Sequence, residues 1–211
     1  MVTPMDQLIK EIKTLQQTKI SNKIEEKIKI FTSMKHQHID TIFPELCYCI
    51  LTANCPAKRC MNIQNHLTND FLNAPTDEIS KKLKKHGYRF PNTRAEYITT
   101  SRTMIDIIKQ VLETYDHDQR RKWLVENIKG FGYKEASHFL RNIGYLNYSI
   151  IDTHIIDLLN RYGIIKPVKN ITSKTYLAIE KKLDHMAKEL QISLGELDLY
   201  LWYLETGAIL K

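Results

Sequence analysis

Apolar residues recur along this chain every three or four positions, the spacing that gathers them on one face of an α-helix. Ile105, Ile108, Leu112 and Tyr115 form one such stripe, and Ile179, Leu183, Met186 and Leu190 another. Leu194, Leu197, Leu201 and Leu204 form a third, opened by Ser193 and Glu196 at the three-residue spacing of a capping box. Strand-like alternation is scarce. Pro44, Pro56, Pro75, Pro91 and Pro167 stand near expected helix starts, where the missing N–H costs nothing. The pattern predicts an all-α protein of nine or ten helices joined by short connections.

Charge adds a partner class. Lys+Arg number 31 against 24 Asp+Glu, a net charge of +7 in 211 residues, which suits a polyanion. No apolar run reaches the roughly 20 residues a membrane span needs, so no membrane partner is expected. The first eight residues lack a basic segment followed by an apolar one, and a cytoplasmic location is expected. Cys47, Cys49, Cys55 and Cys60 are spaced unlike zinc or ferredoxin ligands, so they read as reduced thiols with no metal. The run from Lys81 to His86 reads as a solvated helix face.

The informative stretch is a turn. Two of only seven glycines, Gly130 and Gly132, fall within three residues, flanked by helical patterns over 118–128 and 133–142. Glycine serves where the backbone takes positive φ or another group comes close. A tight hairpin there directs N–H groups at one point beside a helix start, a seat for an anion such as phosphate. Lys134 follows at once, and Asp152 comes 18 residues later, before the apolar run Ile155, Ile156, Leu158 and Leu159. That placement predicts Asp152 as a helix N-cap. Taken singly, Lys134 would be a surface lysine and Asp152 only a cap.

Together these residues carry a resemblance. Gly130-Phe131-Gly132-Tyr133-Lys134, the acid at 152 and His154 resemble the helix-hairpin-helix DNA glycosylase superfamily. The segment from Phe43 to Cys55, Tyr88-Arg89-Phe90 and the ending from Leu201 to Lys211 are most similar to its compact, archaeal-type second family of 8-oxoguanine DNA glycosylase/AP lyases. The resemblance implies that Lys134 is the nucleophile and Asp152 its acidic partner, acting on double-stranded DNA containing 8-oxoguanine. The hairpin N–H groups make Gly130 and Gly132 candidate phosphate contacts, and His154 could contact phosphate or pack in the first turn. For the lesion, Trp202, off the leucine stripe of the last helix, and Phe90, between Arg89 and Pro91, are candidate stacking surfaces, and the resemblance implies Lys211 as a polar contact. Asn54 would fill the gap left by the flipped base. Each has a plainer reading: partial burial for Trp202, core packing for Phe90, an exposed tail for Lys211 and a helix C-cap for Asn54. No cysteine follows Cys60, so the iron–sulfur loop of the endonuclease III branch has no ligands and no cofactor is expected.

Two packed helical subdomains are expected, one over 36–148 ending in the hairpin, the other combining 1–35 with 149–211. DNA would lie in the cleft between them, and the protein would act as a monomer. Two rivals stay open: a glycosylase/lyase for oxidised pyrimidines, and a non-catalytic helix-hairpin-helix DNA-binding protein.

Overall fold

The computed structural model describes residues 3–53, 55–168 and 170–211, which form twelve α-helices and no strand. The first six are α1 (Pro4–Gln16), α2 (Lys19–Met34), α3 (Ile39–Thr52), α4 (Ala57–Asn73), α5 (Thr76–Lys85) and α6 (Pro91–Arg102). The others are α7 (Ile105–Thr114), α8 (His117–Asn127), α9 (Tyr133–Asn142), α10 (Thr153–Arg161), α11 (Ser173–Leu190) and α12 (Leu194–Thr206). The expected nine or ten is too few because some breaks carry neither glycine nor proline. Thr18 starts α2 by accepting the Ile20 N–H on its side chain, and a turn at Thr103–Met104 parts α6 from α7. Pro56 and Pro75 are N-caps and Pro91 opens α6, while Pro167 lies in the connection between α10 and α11. Pro44, by contrast, lies inside α3. That helix begins earlier, at the His38 cap, and the Pro44 carbonyl accepts from Gln64 Nε2 at 3.0 Å.

Two compact units divide the chain, His36–Phe139 and Met1–Lys35 with Leu140–Lys211, the second boundary falling within α9. The first unit is built around α3, with α4, α6 and α7 packed against it. Phe43, Leu46, Cys47, Tyr48, Cys49, Ile50 and Leu51 of α3 are all fully buried. Burial pushes the Cys47 thiol well above its ordinary pKa, so it stays a neutral core group. None of the four cysteines forms a disulfide, and Cys55 alone among them is partly exposed. Arg102 closes the far end of α4 by donating to the carbonyls of Phe71, Asp70 and Ala74 at 2.8, 3.3 and 2.8 Å.

The second unit is organised by α12, which packs against α1, α2, α10 and α11. Two of the expected stripes supply its core: Ile179, Leu183, Met186, Leu190, Leu194, Leu197 and Leu201 are buried. The remaining stripe serves the first unit, where Ile108 and Leu112 of α7 are buried. Ser193 and Glu196 form the predicted capping box. Gly195 lets the start of α12 approach closely, since a Cβ there would come within 3.1 Å of both Arg141 and Leu146. Its N–H donates to the Leu146 carbonyl at 2.8 Å. The buried Arg141 guanidinium sits 4.5 Å above the Phe31 ring and 3.5 Å from Asp198, a paired charge inside an apolar shell.

Candidate active site

The hairpin belongs to the first unit and runs from Ile128 to Gly132, as the glycine pair predicted. Gly130 takes φ +86°, a conformation that side chains rarely adopt. An added Cβ would also meet Arg94 Nη1 at 2.7 Å and the Tyr97 ring at 2.8 Å, both from α6. Phe131 is buried against Phe139, with ring centroids 6.3 Å apart. Arg121 of α8 lies over the Tyr133 ring at 5.2 Å and donates to Ser137 Oγ at 3.3 Å. Lys129 pairs with Glu96 at 3.2 Å. The turn is thus held from α6 and α8.

Gly132 is different. Its φ is not positive, and its N–H already has an anion: Glu135 Oε2, at 3.1 Å. The other oxygen of that carboxylate stands 3.5 Å from Lys134 Nζ. Lys134 is the second residue of α9, its side chain 24% exposed, so the amine is reachable yet mostly walled in. Cys60 of α4 is near enough to feel the lysine's charge, and burial raises its thiol pKa strongly despite that charge.

Asp152 belongs to the second unit. It is the N-cap of α10, with Oδ1 accepting the Ile155 N–H at 3.0 Å, as its place before the apolar run predicted. The segment leading to it is pinned by Tyr176 of α11. That hydroxyl donates to the Ser149 carbonyl at 2.6 Å and accepts the Ile151 N–H at 3.3 Å. One oxygen of Asp152 serves the helix, which leaves the carboxylate a second for chemistry.

The remaining candidates separate by exposure. His154 is exposed, one residue past the start of α10, and meets Trp202 edge-on at 5.1 Å between ring centroids. Trp202 is half-buried off the leucine stripe, and its Nε1 is buried without a hydrogen-bond partner among the described residues. Phe90 does not pack in the core: it is 42% exposed at the N-cap of α6, with the Arg89 guanidinium 5.0 Å from its ring. Lys211 is partly buried. Asn54 lies outside the described residues. Sequence reasoning missed Glu135, Arg94, Arg121 and Tyr176. Glu135 had a signal: an acid at the third helical position, where it can reach back to the N-cap N–H. Among the described residues no group of three or more His, Cys, Asp or Glu could hold a metal ion, and no helix is long and apolar enough to cross a membrane.

The model of a family described as 8-oxoguanine DNA glycosylase matches residues 24–192. An 8-oxoguanine DNA glycosylase/AP lyase of Korarchaeum cryptofilum is 42% identical over 211 residues, covering 98% of this chain and 99% of the relative. Its counterpart in Methanocaldococcus jannaschii is 44% identical, covering 97% and 99%. The crystal structure of the M. jannaschii glycosylase/lyase in complex with a 15mer DNA containing 8-oxoguanine superposes with a TM-score of 0.94 at 43% identity, covering 97% of this chain and 100% of that one. The 8-oxoguanine DNA glycosylase of Thermotoga maritima gives 0.91 at 35% identity, covering 98% and 100%. The chain belongs to the 8-oxoguanine DNA glycosylase family.

Proposed function

We infer that this protein excises 8-oxoguanine from double-stranded DNA and then cleaves the abasic site by β-elimination. The observation that carries the reading is the partly shielded Lys134 amine at the start of α9, beside a glycine hairpin, in a member of this family. The lesion nucleotide leaves the stack, at a cost of a few kcal/mol. The neutral Lys134 amine attacks C1′, the glycosidic bond breaks, and the base departs with the bonding electrons. The sugar ring opens to leave an iminium between C1′ and Nζ. That iminium acidifies a C2′ proton; its removal expels the 3′ phosphate and nicks the strand, and water then releases the lysine.

Asp152 stays ionised, stabilises the positive charge developing on the sugar and helps to orient or deprotonate the amine. Gly130, Gly132 and His154 contact the DNA backbone; with the Gly132 N–H held by Glu135, that residue contributes close approach. Trp202 and Phe90 stack on bases, Lys211 recognises the oxidised purine, and Asn54 fills the vacated position in the helix. The protein acts as a monomer on the chromosome in the cytoplasm of a prokaryote.

Borohydride reduction tests the covalent step. Wild-type protein on a duplex with one 8-oxoguanine should yield a stable protein–DNA adduct, and Lys134→Gln should yield none. Absence of an adduct with wild type on any lesion would favour a DNA-binding protein without catalysis. Excision of thymine glycol but not of 8-oxoguanine would overturn the substrate.

A further inference from the structure

Neighbouring residues on a helix ordinarily face different ways and do not pair. Lys134 and Glu135 are an exception with a visible cause. The Glu135 side chain turns back to accept the Gly132 N–H at 3.1 Å, and this brings Oε1 to 3.5 Å from Lys134 Nζ. Only a residue without Cβ leaves comfortable room, because a Cβ at 132 would meet Oε2 at 3.3 Å. The Glu135 side chain is 16% exposed, so the pair is more shielded than an ordinary surface contact. Capping the helix requires one carboxylate oxygen. The second is committed to the lysine.

Other charged and titratable groups lie on the hairpin and on the elements that hold it. Cys60 of α4 interacts electrostatically with Lys134, and Cys55 precedes it. Arg121 of α8 lies over Tyr133, and Arg94 of α6 abuts Gly130. His138 stands one turn further along α9. Glu96 of α6 is paired with Lys129 of the hairpin. Glu135 is the carboxylate that faces the lysine at ion-pair distance.

We propose that Glu135 is a positioning residue for Lys134, tethering its side chain at the hairpin so that the amine is held where it must attack. The proposal rests on Lys134 being the nucleophile. A carboxylate at this distance attracts the lysine side chain and restricts the positions it can take.

Glu135→Gln tests it, since the amide oxygen can still accept the Gly132 N–H while the charge is gone. Single-turnover nicking of an abasic-site duplex is measured over a range of enzyme concentrations, which separates rate from affinity, with borohydride trapping in parallel, for wild type, Glu135→Gln, Glu135→Ala and Lys134→Gln. In Glu135→Gln the maximal nicking rate and the rate of trapping should fall several-fold as the amine loses its tether, with duplex affinity and melting temperature close to wild type. Glu135→Ala should show the same loss of rate with a lower melting temperature, because the Gly132 N–H also loses its acceptor. A nicking rate in Glu135→Gln equal to wild type, with loss only in the destabilised Glu135→Ala, would make Glu135 a helix cap only and overturn the proposal, while loss of the adduct in Lys134→Gln would leave the nucleophile standing. Persistence of the adduct in Lys134→Gln would overturn both readings.

Discussion

The starts of α9 and α10 present the two candidate catalytic side chains, and they are capped in opposite senses. At α10 the cap is the functional acid itself: Asp152 reaches forward to the Ile155 N–H. At α9 the N-cap position is a glycine, and Glu135 reaches backward from the third helical residue. The first solution makes one residue serve both the helix and the chemistry. The second divides those duties, leaving Lys134 unencumbered by capping but placing a counter-charge beside it. A substitution at 152 can therefore confuse stability with catalysis, whereas substitutions at 134 and 135 can be told apart.

The largest expected effect uses that contrast. Asparagine caps a helix about as well as aspartate, so Asp152→Asn should leave the melting temperature nearly unchanged and DNA binding mostly intact. Its turnover should fall by about 10²–10⁴-fold. Asp152→Ala should lose the same activity and about 1 kcal/mol of stability besides. Turnover of Asp152→Asn equal to wild type would reduce the acid to a cap.

The two glycines extend the contrast to the backbone. Gly130→Ala forces a side chain into positive φ and against Arg94 and Tyr97, and should cost about 2–4 kcal/mol in denaturant unfolding. Gly132→Ala meets only the Glu135 carboxylate, at 3.3 Å, and should cost about 1 kcal/mol. Equal losses would mean that the turn is not held from α6.

Much of this was legible in the sequence because it is local. The glycine pair, the Asp152 cap and the Ser193–Glu196 box are each set by residues within a few positions of one another. What escaped depends on distant chain or on breaks without punctuation. Arg94 reaches the hairpin from a different helix, α6, and Tyr176 reaches Ser149 from 27 positions away. Periodicity marks Tyr176 as core, which it is, yet says nothing about its hydroxyl. The α1–α2 break rests on Thr18, and threonine is too common to mark a helix start unaided. Phe90 shows what local pattern leaves open: an aromatic residue before proline could stack or pack in the core, and its 42% exposure rules out the core alternative.

Deleting Lys211 should weaken discrimination between 8-oxoguanine and guanine by about tenfold or more, the worth of one charge-assisted hydrogen bond. Relative excision rates on matched duplexes measure it. Selectivity that survives the deletion would remove the tail from lesion recognition while leaving the catalytic pair untouched.

The smallest effect asks what seats Asp152. Tyr176→Phe keeps the ring but removes the hydroxyl that joins the Ser149 carbonyl to the Ile151 N–H. Two buried backbone groups then lose a partner, and unfolding should become easier by about 1–2 kcal/mol. If the extended lead-in positions the acid, excision and nicking should slow together, several-fold, because both steps use the same carboxylate. If stability falls while turnover holds, the bond to Ile155 is enough to aim Asp152, and the α10 cap would be as self-sufficient as the α9 cap is divided.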